Sequence, residues 1–130
     1  MTAERERLNF FAREILDAAI VVHRELGPGL LESVYQYCLV KELRNRGLKV
    51  DTSITLQLHY KGEPLDKEYI LDVLVEDEII LELKAVEAVL PVHDAQLISY
   101  LKLSNKRLGF LINFNCPLLK QGFKRFVNKF

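Results

Sequence analysis

The chain has 130 residues, 49% of them hydrophobic, and its 18 basic side chains balance 18 acidic ones for a formal net charge of zero. That length and hydrophobicity predict a single domain over residues 1–130, burying somewhat more than ~60% of the surface its unfolded form exposes. Neutrality excludes a chain-wide polyanion-binding character, and short, charge-interrupted apolar runs behind Met1-Thr-Ala-Glu-Arg-Glu-Arg7 exclude a signal peptide and a membrane span, so a soluble cytoplasmic protein is expected.

In chain order, Phe11, Ile15, Ala18, Ala19, Val22 and Leu26 recur at helical spacing and predict an amphipathic helix from about Leu8 to Leu26, ended by Gly27-Pro28-Gly29. A second helix is expected from about Leu31 to Arg46, with Val34, Cys38, Leu39 and Leu43 inward and Gly47 as its stop. Leu48–Asp51 is a weak strand signal, and Ile54–Tyr60 alternates Ile54, Leu56, Leu58 and Tyr60 on one face. Lys61-Gly62-Glu63-Pro64 then turns the chain into a hairpin built from the apolar runs 69–75 and 79–84. A connection containing Pro91 leads to a third helix from about Val92 to Leu103, a buried strand Leu108–Phe114, the turn Asn115-Cys116-Pro117 and a short strand near Phe123–Val127. This order is that of an α/β domain, a mixed β-sheet flanked by α-helices. Cys38 and Cys116 form no CxxC pair and read as small core residues.

The hairpin carries the chemistry. Pairing symmetrically about Asp77 sets Val75 opposite Ile79 and Asp72 opposite Glu82, with Lys84 on the same face. Directly opposed residues have Cβ atoms roughly 4.5–5.5 Å apart, so the two carboxylates could share one divalent cation. The register requires an odd-length loop or a bulge at Glu76–Glu78. The plainer reading is a cross-strand ion pair, Asp72–Lys84 or Glu82–Lys84. Of the other polar residues, His93 reads as a helix-start residue or a phosphate contact, His23 as a capping or core residue, and His59 as exposed. Asn113 and Asn115 read as turn caps.

Gly29-Leu-Leu-Glu32-Ser-Val-Tyr35, followed by Asp72, Glu82-Leu-Lys84 and Gln96-Leu-Ile-Ser-Tyr100, resembles the GxxExxY proteins, a branch of the PD-(D/E)xK nuclease superfamily related to RecB-type exonucleases. The resemblance runs from about residue 10 to residue 128; Val73 beside Asp72 departs from the proline of the superfamily name. It implies a restriction-endonuclease-like core and a metal-dependent nuclease that hydrolyses nucleic-acid phosphodiester bonds, DNA above all, with Mg²⁺ or Mn²⁺. Asp72 and Glu82 would bind the metal with the Leu83 carbonyl, and Lys84 would orient the attacking water. Glu32 would complete the metal shell or hold one of its waters, whereas a plain first-turn acid would only interact with the helix dipole. Gln96 and Tyr100, adjacent on one helix face, would contact Lys84, the water or the nucleic-acid backbone. Tyr35 is open between holding a site carboxylate and serving as a core aromatic.

Charge is segregated along the chain: residues 60–94 hold ten acidic and three basic side chains, and residues 95–130 hold seven basic ones and no acid. An acidic cation site beside a basic phosphate surface suits a nuclease, while two solvated faces that neutralise each other suit any soluble domain. Two other classes fit the chain. One is a nucleic-acid-binding module that no longer cleaves. The other is a self-associating structural protein pairing through Phe123-Lys-Arg-Phe126-Val-Asn-Lys-Phe130. Recognition through a homo-oligomer or a partner protein is expected at this size.

Overall fold

The structure, a computed structural model, describes residues 2–130. Helix α1 (Ala3–Leu26) begins five residues before the apolar pattern does, because the Thr2 side chain caps it by accepting from the Arg5 N–H at 3.1 Å. Helix α2 (Glu32–Asn45) turns Tyr35, Leu39, Val40 and Leu43 inward; Val34, expected inside, is exposed, and Tyr35 takes its place in the core. The strands are β1 (Val50–Tyr60), β2 (Glu63–Val75), β3 (Ile79–Lys84), β4 (Leu108–Asn113) and β5 (Phe123–Val127), with α3 (Pro91–Ser104) between β3 and β4. A short 3₁₀ turn, Leu119–Gly122, precedes β5.

The five strands form one mixed sheet in sequence order. β1, β2 and β3 run antiparallel, β3 and β4 are parallel across the α3 connection, and β4 and β5 are antiparallel. Parallel neighbours need such a crossover, and the helix it supplies covers one face. Under α1 and α2 lies the larger core, with Ile15, Tyr35, Val73, Leu81, Leu83 and Phe114; under α3 lies a smaller one, with Leu74, Ile80, Leu97, Tyr100 and Leu111. Strand alternation therefore sends Asp72, Glu82 and Lys84 toward the α3 side. Among the described residues, no helix is long and apolar enough to cross a membrane.

The segment from Lys61 to Pro64 differs from its sequence reading. Only Lys61 and Gly62 turn, with φ of 51° and 82°, and Pro64 lies inside β2 opposite His59. The paired positive φ values match the twist of a tight hairpin. A proline is tolerated there because β3 pairs with β2 only at Val73–Val75, leaving the other side of Pro64 without a ladder to feed. β1 likewise runs unbroken from Val50, where a weak strand and a gap were expected. Residues 61–70 are all exposed, so the outer β1–β2 ribbon stands clear of both cores.

Candidate active site

The β2–β3 connection sets the site. Glu76 and Asp77 adopt φ of 53° and 59°, and the Glu78 N–H donates to the Val75 carbonyl at 3.0 Å. Such a turn uses two residues, and Glu78 is the third that keeps the loop odd. Lys49 braces it: its N–H donates to Glu76 Oε2 at 2.6 Å and its ammonium bonds Asp77 Oδ2 at 2.8 Å. Pairing runs Val75–Ile79, Leu74–Ile80, Val73–Leu81 and stops. The next position sets Asp72 against Glu82, and there the strands part. The Leu83 N–H donates to Asp72 Oδ2 at 3.1 Å rather than to a backbone carbonyl. Since the N–H and C=O of one strand residue point to the same side, the Leu83 carbonyl also faces this split.

Glu82 is 7% exposed, lies between the buried Leu81 and Leu83, and leaves Oε1 buried without a hydrogen-bond partner among the described residues. Burial, and then the adjacent charge of Asp72, push its pKa up to about 8, against some relief from Lys84. Burial also raises the pKa of Glu32, at the first residue of α2; the Asp72 charge adds to the rise and Lys84 opposes it. Tyr100 is buried, with its ring centroid 5.3 Å from that of Tyr69. Its phenol is shifted upward by burial, then by Glu82, Tyr69 and Asp72. Lys84 is half-buried and forms no ion pair within 4.0 Å among the described residues, so the cross-strand ion pair is not formed.

Five of the residues singled out in the sequence, Glu32, Asp72, Glu82, Lys84 and Tyr100, thus lie within each other's electrostatic reach, and Leu83 borders the split. Gln96 is exposed on α3. Among the described residues, no three His, Cys, Asp or Glu side chains converge as a ready metal cage. The oxygens nonetheless suit a hard cation that takes only one or two carboxylates, and the unpartnered Glu82 Oε1 is the atom such a cation would satisfy.

Tyr35 does not touch a carboxylate. Its hydroxyl donates to the Gly27 carbonyl at 2.5 Å and accepts from the Leu30 N–H at 3.1 Å, and its ring stacks on Phe114 at 4.6 Å. With Gly27 at φ 70° and Gly29 at φ 98°, the aromatic fixes the loop that delivers Glu32. His93 accepts from the Leu90 N–H at 3.1 Å at the start of α3, His23 is buried with Nε2 2.8 Å from the Cys116 carbonyl, and His59 is exposed.

Three neighbours escaped the sequence reading in whole or part. Asn113 is more than a turn cap: it is buried, accepts from the Val86 and Asn115 N–H groups and donates to the Val86 carbonyl, clasping the chain just after Lys84. A lone polar residue ending the run Leu108–Ile112 was the available signal. Tyr69 and Ser53 carried none; Ser53 falls opposite Asp72 in the β1–β2 register with φ of 53°.

A five-stranded mixed sheet, three helices and an acidic pair beside a lysine define an α/β protein of nuclease type. A model of the PD-(D/E)XK nuclease superfamily matches residues 9–126, and the chain belongs to that superfamily. No curated protein and no solved structure matches it.

Proposed function

We propose that the chain hydrolyses nucleic-acid phosphodiester bonds with Mg²⁺ or Mn²⁺, within the GxxExxY branch of its superfamily. The observation that carries this reading is Glu82: a carboxyl buried among leucines, one oxygen unpartnered, beside a second carboxylate. An uncompensated buried charge of this kind is costly, and a bound cation removes the cost. Asp72, Glu82 and the Leu83 carbonyl would hold the cation, and Glu32 would complete its shell or hold one of its waters. The cation supplies Lewis acidity toward the phosphodiester. Lys84, free of an ion-pair partner among the described residues, orients the attacking water and stabilises the charge that develops on phosphorus oxygens. Tyr100 closes the buried side of the site and hydrogen-bonds the carboxylates or the water, and Gln96, exposed on the same helix, contacts the nucleic-acid backbone. The Gly29, Glu32 and Tyr35 spacing supports the branch, because the tyrosine anchors the loop from which Glu32 projects.

Calorimetric titration with Mn²⁺ separates these roles. Asp72→Ala is expected to abolish binding and cleavage together, and Lys84→Ala to abolish cleavage of labelled oligonucleotides while Mn²⁺ still binds. Undiminished cleavage in excess chelator would refute the proposal.

A further inference from the structure

A cavity of about 620 Å³ lies outside the carboxylate site, in the groove between α2 and the edge strand β1. On α2 its wall is the stripe Ser33, Tyr37, Lys41 and Arg44, spaced by threes and fours, on the side of the helix away from Leu39 and Leu43, joined by Gln36 and Val40 nearer the core; Thr52 stands across from it. The groove lies on the α2 face of the sheet and reaches the site at its Glu32 end: Ser33 follows Glu32 directly, whereas Thr52 is paired with Val73 and shares its face, opposite to that of Asp72. Among the described residues no carboxylate lines it, in a chain with 18 acidic residues, and two cations do. Tyr37 is 69% exposed, and its ring stacks on no other aromatic among the described residues.

We propose that this groove is the track of a single-stranded nucleic acid, with phosphates on Lys41 and Arg44 and a base stacked on Tyr37. The inference rests on the nuclease reading and deepens it by naming the substrate as an unpaired strand. A helix stripe from Ser33 to Arg44 runs about 16 Å along the axis, the reach of a few extended nucleotides. An exposed aromatic offers its face only to a base released from pairing, and cationic grooves with such platforms bind single strands without regard to sequence. A duplex would need a broad basic surface. Of the seven C-terminal cations, Lys124 is tied to Asp94 and Arg107 to Glu4.

The chain has no tryptophan, which gives the test its probe. In the Tyr37→Trp protein, saturating single-stranded DNA or RNA octamers, added with chelator so that nothing is cut, are expected to quench the indole, whereas inorganic polyphosphate is not. The same protein carrying Lys41→Glu is expected to bind the octamers about tenfold more weakly, and duplex of the same sequence to bind the parent at least about tenfold more weakly than the single strand. Tyr60→Trp, on the ribbon, serves as the control whose emission does not change. Duplex binding as tight as single-strand binding, an unquenched indole in the Tyr37→Trp protein at saturation followed by anisotropy of a labelled strand, or no strand binding would overturn the proposal. Hydrolysis of bis(4-nitrophenyl) phosphate by the wild-type protein with Mn²⁺ reads the nuclease proposal alone. Strand binding without that hydrolysis sinks the nuclease reading and leaves the groove, and hydrolysis without strand binding does the reverse.

Discussion

The carboxyl of Glu82 ionises against its surroundings, and stability should record the fact. Its pKa is raised in the folded state, from 4.5 to about 8, so the folded protein holds a proton that the unfolded chain has released. Stability from this group is fully present below about pH 4.5 and is lost progressively as pH rises through about 8. Thermal melts without metal are expected to fall across that interval, and Glu82→Gln to flatten the fall. Mn²⁺ should raise the melting temperature of the wild type more at pH 8.5 than at pH 5, because the cation takes only the ionised form, and should leave Glu82→Gln nearly unmoved. A metal shift of equal size in both proteins would remove Glu82 from the ligand set. The residues of this cluster were legible in the sequence because charges stood inside apolar runs, where only pairing or coordination sustains them. The destination of the Tyr35 hydroxyl was not, since spacing places a side chain on a helix face but does not say which backbone groups wait beyond it.

At the scale of elements, two close contacts decide how the site is held. Tyr35→Phe keeps the ring on Phe114 but strands the Leu30 N–H and the Gly27 carbonyl; a loss of about 1–3 kcal/mol in urea unfolding is expected, with cleavage falling further as Glu32 loosens. Equal stability of the variant would mean that water serves the loop as well as the phenol does. At Gly122 an added Cβ would collide with the Asn113 carbonyl oxygen, so Gly122→Ala must displace either the 3₁₀ turn or the end of β4, and with it the clasp on Val86. A melting temperature lowered by several degrees, with the loss concentrated around β4 and β5 in hydrogen exchange, is the expected result. The helices and the β2–β3 hairpin followed from periodicity and turn residues. The true start of β2 did not, because Glu63-Pro64-Leu65-Asp66-Lys67-Glu68 is polar and carries a proline, features that signal a loop wherever both sides of a strand must pair.

Over the whole molecule, the basic C-terminal segment divides between the two faces of the sheet. Lys124 and Arg125 are neighbours in β5 and so point to opposite faces of the sheet. Lys124 bonds Asp94 at 2.7 Å, whereas Arg125 bonds Asn9 at 3.1 Å and lies over the rings of Phe130 and Phe110. Lys124→Glu is expected to shift stability by less than about 1 kcal/mol, as an exposed pair does, while Arg125→Glu loses its contacts with two rings and costs more. Equal melting temperatures for the two would contradict that division. The ribbon beyond Asp72 bears on a different property, the way the molecule opens. Its amides from about Leu58 to Tyr69 have one ladder and little buried apolar surface behind them, whereas Val73, Leu81 and Leu111 are sealed under helices on both faces of the sheet. The outer ribbon can therefore detach as a unit of its own and exchange its hydrogens in seconds to minutes, while the strands carrying Asp72 and Glu82 exchange only when the whole chain unfolds. Cutting or splicing at Lys61-Gly62 would then leave the strands of the candidate site standing, which makes that hairpin tip the place where this small protein can accept an inserted segment without giving up its centre.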